Sequence, residues 1–594
     1  MPVVDNVLRV DLSAERVRSE RIPEEWLEKY IGGKGIGARY LYEMEPGTDP
    51  ESPENVLLFM LGPLTGYTPG EQRYAAITKS PLTGAFLDSY GGGSFPGRLA
   101  GSLDAHLGVL VIGEADGPVV LSVSGGDATI EPATDLWGLD AEATCERFED
   151  AAVACIGPAG ESGVRYATIA SDSGEHHAGR GGAGTVMGSK NLKAVVAHDP
   201  APEGLDRLRK RYGDSFAESD AGQWLAASDT LETVDFANEA GVLPTRGWQE
   251  RSFEGTDGIG IERARERSTG RERADDPVPG GFRVESDAGE SVPRGATPIA
   301  LGAGLGIDDF DAVATLGAVC DRLAMDVITA GNAVAWAVRA SERGLIDREL
   351  SFGDEAIARN LIEEIADRST PLGDALADGV SKAAGRFGGE ELIPTVKGME
   401  LSSYDPRGAE TMALAYATSD RGGCHRRARP VEIEAITETG WTPKQQAAVV
   451  AEEQNRRALL WSLIADDFLE EVFRADVGAE WLSAVGYDRT GEDLAATGER
   501  IWTLVRLFNL REGFGRGDDE LPAALTDASD GDQGSGLDPD AFGTLLSEYY
   551  DYRGWDRSGR PTMALLRRLG IVSLPVEGLS IADKTEQQEK PTDD

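Results

Sequence analysis

The chain has 594 residues, 40% of them hydrophobic and 74 of them glycine, a composition that supports a large buried core and excludes a disordered protein. Its formal net charge of −45 excludes nucleic acid as a partner, because phosphate repels an acidic surface. Asp and Glu are spread along the whole chain and lysine is scarce beside arginine; such a surface stays hydrated where salt is molar, so a halophilic, cytoplasmic protein is expected.

In chain order, residues 1–203 read as strand-rich. "NVLRVDL", "NVLLFML", "YAAITKS", "GVLVIGE", "PVVLSV" and "LKAVVAH" are short β-branched runs between Gly/Pro turns, predicting an antiparallel or mixed sheet layer. The longest apolar runs, such as "LGVLVIG" (107–113), are strand-length and far short of a membrane span. "MPVVDNVLRVDL" lacks the basic start and apolar core of a signal peptide.

The stretch "EHHAGRGGAGTVMGSKNLKAVV" (Glu175 to Val196) looks like a phosphate loop. Gly179 to Gly184 satisfies G-x-G-x-x-G, but that fingerprint needs a buried strand before it and a full helix after it. Here "SDSGEHHA" is polar, and the next apolar run follows too soon. The Walker pattern fails as well, because Ser189-Lys190 is in the wrong order. A plain glycine-rich turn remains open on these residues alone.

A boundary is expected near residue 203, followed by two mainly helical domains over 204–396 and 397–580. "LDRLRKRYGDSFAE", "DDFDAVATLGAVCDRLAMDVITAGNAVAWAVRASERG", "NLIEEIADRS", "PKQQAAVVAEEQNRRALLWSLIADDFLEEVF" and "GERIWTLVRLFNLREG" carry helical spacing of apolar residues. Residues 266–295 read as a charged Gly/Pro-rich loop and 526–540 as an acidic linker. Residues 581–594 read as a disordered acidic tail. The fold class is therefore α+β. The four cysteines, Cys145, Cys155, Cys320 and Cys424, are at least ten residues apart and carry no zinc or iron–sulfur spacing. None of the five histidines forms an H-E-x-x-H site.

Several stretches together resemble the aldehyde:ferredoxin oxidoreductases: "GGKGIGARYLYEMEPGTDPESPENVLLFMLGPLTG" (32–66), "RYAAITKSPLTG" (73–84), "GPAGE" (157–161), "HHAGRGGAGTVMGSKNLKAV", "YDPRGAE" (404–410), "AYATSDRGGCH" (415–425) and "GERIWTLVRLFNLREG". They run in order over nearly the whole chain. The resemblance implies a saddle-like β-sheet base under two helical domains, with a tungsten (or molybdenum) bis-pyranopterin dithiolene between them. It implies oxidation of an aldehyde or related oxo substrate to a carboxylate, with ferredoxin or another redox partner as acceptor.

Carried over residue by residue, the resemblance puts Arg180, Gly181 and Gly182 at a pterin phosphate, where backbone N–H groups and a guanidinium fork suit an anion. Arg73 matches a second pterin-binding arginine, and Gly91, Gly92 and Gly93 a cofactor-contacting glycine turn. Asp321 and Asp326 keep the carboxylates of a D-x-x-G-L-D pterin motif. Asp405, Arg407 and Arg421 fall near the cofactor. His425 matches a proton donor or acceptor beside the metal, a role that suits imidazole. No residue is assigned as a metal ligand.

The departures matter as much. The family's C-x-x-C-x-x-x-C run corresponds to "RERADDPVPGGFRV" (271–284), and the cysteine of its D-x-x-G-L-C motif to Asp466. With all four thiolates gone, a family-type four-iron four-sulfur cluster is expected to be absent. Trp461 and Ile464 replace the Asp and Gly of that second motif. Thr315 and Ala318 stand where some members bridge subunits through a metal, so a homodimer would lack that bridge. Two alternatives to an active oxidoreductase follow. One is a non-catalytic or partner-dependent paralogue that binds the pterin cofactor but lacks the electron exit; the other is a cofactor-free scaffold.

Overall fold

The computed structural model describes residues 4–434, 440–473, 478–526 and 536–574. The fold is α+β. The β-branched runs of the first 200 residues are strands, and they build two six-stranded mixed sheets rather than a single layer. The first sheet contains β1 (Asn6–Asp11), β2 (Arg16–Arg21), β3 (Leu57–Met60), β4 (Tyr74–Lys79), β5 (Phe86–Gly91) and β6 (His106–Ile112), in the order β2-β1-β6-β3-β4-β5. The second contains β7 (Val119–Ser124), β8 (Asp127–Pro132), β9 (Ala152–Cys155), β10 (Ile169–Ser171), β11 (His176–Ala178) and β12 (Leu192–Ala197), in the order β11-β10-β9-β12-β7-β8.

One apolar cluster, including Phe59, Tyr74, Phe95, Leu121, Val186 and Val195, joins the two sheets. Strands β4 and β5 are buried along their whole length, as strands covered on both faces must be. Their antiparallel register pairs Tyr74 with Gly91, which brings Arg73 and Gly92 together at one end of the hairpin.

The glycine-rich stretch departs from the expectation in detail. A three-residue strand, β11, does precede it, and a seven-residue helix, Ala183–Ser189, does follow. The loop is still no dinucleotide fingerprint: β11 is an edge strand antiparallel to β10, and β12 lies three places away.

Beyond residue 205 helices dominate. Asp206–Glu218 and Gly491–Arg511 cover expected helical segments. Two long runs that read as continuous are broken. The first divides into Phe310–Leu323 and Val327–Glu342. The second ends its helix, Pro443–Leu463, at Ile464 and resumes with short turns, Asp467–Leu469 and Glu470–Phe473. Both breaks work alike. Ala324 and Ile464 take left-handed C-cap conformations (φ 52° and 55°), and Asp326 and Asp466 then cap the next turn. The segment 266–295 is not wholly loop: it carries a three-stranded sheet of β13 (Ser268–Arg271), β14 (Phe282–Ser286) and β15 (Gly289–Ser291). Residues 527–535 of the expected linker and the tail 581–594 lie outside the described residues. Among the described residues no helix is long and apolar enough to cross a membrane.

Candidate cofactor site

A cavity of about 930 Å³ opens where the sheets meet the helices, at the upper end of the size range of small-molecule sites. Its wall draws Arg73, Tyr90 and Gly92 from the first sheet, and His176, His177 and Arg180 from the second. Asp321 and Asp326 come from the first helix junction; Arg421, His425, Arg427, Arg457 and Asp466 complete it. Of the residues singled out from sequence, Arg73, Gly92, Arg180, Asp321, Asp326, Arg421 and His425 are brought together here. Gly91, Gly93, Gly181, Gly182, Asp405 and Arg407 do not line the cavity.

Arg180, Gly181 and Gly182 are consecutive left-handed residues (φ 68°, 79° and 86°). A Cβ on Gly182 would lie 2.3 Å from the Arg165 carbonyl oxygen, so glycine is required there. This turn aims Arg180 away from the sheets, toward the segment that carries Glu400 and Gly423. Its Nη1 and Nη2 donate to the carbonyls of Gly423 and Glu400, both at 2.5 Å, and its Nε lies 3.6 Å from Asp326. Asp326 caps the Val327–Glu342 helix through the Thr329 N–H, and Asp321 accepts from Ser291 Oγ at 3.0 Å. Asp405 and Arg407 pair closely with each other, Arg407 also donating to the Trp248 carbonyl.

Arg421 is 4% exposed. It donates to the Asp88 carbonyl at 2.8 Å, to Ser89 Oγ at 3.2 Å and to Cys424 Sγ at 3.1 Å. Among the described residues it has no carboxylate partner, and its buried Nε makes no hydrogen bond. Arg180 and Arg457 likewise keep a buried Nε without a hydrogen bond. Arg180 and Arg457 already face Asp326 and Asp467, so it is Arg421, a buried cation on the cavity wall bonded to a carbonyl, a hydroxyl and a thiol, that best suits an anionic ligand. The cysteine responds to this field. Burial raises the Cys424 pKa, but the charges of Arg421, Arg427 and Arg180 outweigh it and bring the thiol down to about 7.

His425 is half-buried, with Nδ1 2.8 Å from Ser402 Oγ and the Tyr404 ring set edge-on at 6.1 Å. Burial, then the positive charges of Arg429, Arg426, Arg180 and Arg421, hold its pKa well below the usual imidazole range. It is therefore a neutral imidazole at pH 7.

Two features of the site were invisible in the sequence. The first is a buried charge network. His176 lies between two carboxylates, with Nδ1 2.8 Å from Glu71 and Nε2 3.1 Å from Glu272. Glu272 pairs with Arg294 at 2.7 Å, Glu71 with Arg73 at 2.9 Å, and Arg73 with Asp466 at 3.1 Å. Burial lowers the His176 pKa, yet the Glu71 charge and hydrogen bonds to both carboxylates win and raise it to about 9. Glu175, His176 and Glu272 group their ligand atoms within 4.8 Å, but Arg283 and Arg294 already neutralise those carboxylates. Glu272 and Asp466 come from the two segments in which cysteines were expected and not found.

The second feature is the packing around Trp461, which the sequence shows only as a replacement in the second motif. Its ring stacks on Tyr90 (5.1 Å, 30°) and lies 4.4 Å below the Arg427 guanidinium. Behind it, Lys34 and Arg427 share Asp88 and Asp420, all four buried, with Lys34 2.9 Å from Asp88 and Arg427 2.7 Å from Asp420. The two helix junctions are thus quasi-equivalent in backbone but not in chemistry. One offers Asp321 and Asp326; the other offers Asp466 and Asp467, already paired with Arg73 and with Arg426 and Arg457.

A β-rich base and a helical cover thus enclose one large cavity lined by both arginines and carboxylates. The models for the N-terminal domain and for domains 2 & 3 of aldehyde ferredoxin oxidoreductase match residues 7–199 and 207–571, and the chain belongs to that family. It is 34% identical to the tungsten-containing aldehyde ferredoxin oxidoreductase of Pyrococcus abyssi, over 95% of this chain and 98% of that one. The enzyme of the same name from Pyrococcus furiosus is 33% identical over the same shares. The WOR-like subunit of an aliphatic sulfonate oxidoreductase from Pyrococcus furiosus is 27% identical, over 95% of this chain and 96% of that one. The active site complex of benzoyl coenzyme A reductase shares the fold, with a TM-score of 0.81 at 22% identity over 96% of this chain and 97% of that one.

Proposed function

We propose that the cavity holds a tungsten (or molybdenum) bis-pyranopterin dithiolene and that the chain oxidises an aldehyde, or a related oxo substrate, to a carboxylate. The observation that carries this reading is Arg421, a buried guanidinium on the cavity wall without a carboxylate partner among the described residues. Arg421, Arg180 and Arg73 would hold the anionic groups of the cofactor, and Asp321 and Asp326 the N–H edge of one pterin. Such a centre, held by these residues, would supply two-electron redox chemistry without needing protein thiolates. Oxidising an aldehyde to a carboxylate with water also releases protons. With Nδ1 held by Ser402, His425 Nε2 is the atom that takes one, and its neutral state suits acceptance.

The charge network supports a second element of the proposal: no iron–sulfur cluster is built beside this cavity. Arg73, His176 and Arg294 supply the positive charge there, and carboxylates stand where thiolates would be needed. Electrons then pass to ferredoxin or another acceptor without that relay, in a halophilic protein whose homodimer, if formed, has no bridging metal. Trp461 favours one competing reading, a paralogue that retains the cofactor without turnover. Metal analysis and pterin oxidation-product fluorescence on protein from its native host decide the first point. Metal with pterin is expected, and neither would leave a scaffold. Stoichiometric iron and acid-labile sulfide would overturn the second point.

A further inference from the structure

Cys145 and Cys155, ten residues apart in sequence, meet on the far side of the second sheet. Cys145 ends the Ala141–Cys145 helix, and Cys155 ends β9. Ala141 and Cys145 are four residues apart on that helix and so share one face. The Ala141 carbonyl also faces the Cys155 thiol, with Sγ 3.8 Å away. Cys145 packs against the small apolar cluster that contains Cys155, and the two thiols are close enough that each is the largest influence on the other's pKa, with the Ser173 backbone N–H a further influence on Cys145. Both thiols are free, Cys155 buried and Cys145 half-buried and so open to a small reagent.

We infer that Cys145 and Cys155 form a peroxide-sensitive dithiol in which Cys145 is the attacked sulfur and Cys155 resolves it to a disulfide. The steps balance. The Cys145 thiolate attacks a hydroperoxide, the O–O bond breaks, and Cys145 becomes a sulfenic acid while the hydroperoxide leaves as an alcohol or water. The Cys155 thiol then displaces that hydroxyl as water, forming the S–S bond. The electrostatics are consistent with these roles. The Cys155 thiol, with help from the Ser173 N–H and against burial, lowers the Cys145 pKa, while the Cys145 thiol and then burial push Cys155 well up. The positively charged Lys193 is within range of both, and Asp172 near Cys145 and Asp140 near Cys155 oppose it.

The site is tied to the cavity through one turn. Asp172 and Ser173 are left-handed non-glycine residues (φ 49° and 58°), and β11 with His176 follows directly. The Asp172 carboxylate accepts from Ser94 N–H and Oγ, both at 2.6 Å, beside Gly93. A disulfide attracts a backbone N–H more weakly than a thiolate-like sulfur, so oxidation should loosen the hold of Cys145 on the Ser173 turn.

The test uses the full chain, reduced and then treated with hydrogen peroxide, denatured, alkylated and read as peptides by mass spectrometry. A linked Cys145–Cys155 peptide is expected, reversed by dithiothreitol, while Cys320 and Cys424 remain alkylated. The half-buried Cys145→Ser variant should lose the link and keep Cys155 reducible and alkylated. In wild type, oxidation should also speed amide exchange over residues 172–178, and in Cys145→Ser it should not. Four alkylated cysteines after peroxide, or Cys145 running on to sulfinic acid with Cys155 free, would overturn the dithiol. Unchanged exchange would overturn its link to the cavity.

Discussion

Arg180 and Arg421 both line the cavity, but they are held differently, and their variants should differ accordingly. Arg180 ties its turn to the segment that carries Glu400 and Gly423 through their carbonyls, so Arg180→Ala should lower both pterin content and melting temperature. Lysine should rescue poorly, since it cannot make two parallel bonds. Arg421→Met removes a buried charge that has no carboxylate partner among the described residues. It should abolish pterin and metal retention while leaving the apo protein's melting temperature unchanged or higher. His425→Ala should leave the cofactor bound and cost about 10²–10⁴-fold in kcat, the scale of general base catalysis. Because the His425 pKa is depressed, the acid limb of the rate profile should fall below pH ~6.5, the ordinary imidazole value. A limb centred at or above that value would remove His425 from the base role.

At the scale of elements, the charge network ties three segments together and should dominate the pH dependence of stability. His176 gains a folded-state pKa of about 9, so its contribution is full below the unfolded imidazole value and fades as pH rises through 9. Glu272→Gln should cost about 3–5 kcal/mol by breaking a buried pair, read as a lowered denaturation midpoint at neutral pH. The same variant at pH 10 should cost less, because His176 is then already neutral. A second element-scale prediction concerns Ala324, which caps a helix in the left-handed region. Ala324→Gly removes a steric penalty of roughly 1 kcal/mol and should raise the melting temperature.

That cap also marks where the sequence stops being readable. The strands were legible because β-branched runs alternate with Gly/Pro turns. The helix breaks were not, because apolar spacing continues through "DRLAMDV" and "SLIADDF" without Gly or Pro. The signal that existed was the aspartate at the end of each motif, an N-cap residue sitting inside an apparent helix. At the site, the glycine-rich turn and the "DRGGCH" block could be found because each is a contiguous motif, although the contacts they make reach across the chain. Pairings such as Arg73 with Asp466 or Glu71 with His176 join residues a hundred or more positions apart, and no spacing rule reaches them. Strands β13 to β15 were missed because they are short and polar.

At the scale of the whole molecule, 103 acidic residues face 58 basic ones, and the surplus acts over the surface. Lowering salt from 1 M to 0.1 M lengthens the Debye distance from about 3 Å to about 10 Å. Repulsion between exposed carboxylates should then lower the melting temperature steeply, while the buried pairs, screened little at any salt, should hold. Equal melting at both salt levels would refute the halophilic reading.

The cavity wall is assembled from residues as far apart as Gly70 and Glu471. An anion seated there is bound by a surface that does not exist until most of the chain has been synthesised and brought together. Under the proposed function, occupancy and folding are therefore linked, and the melting temperature should rise with ligand supply. A chain that closed empty would keep the Arg421 guanidinium buried with no carboxylate partner among the described residues.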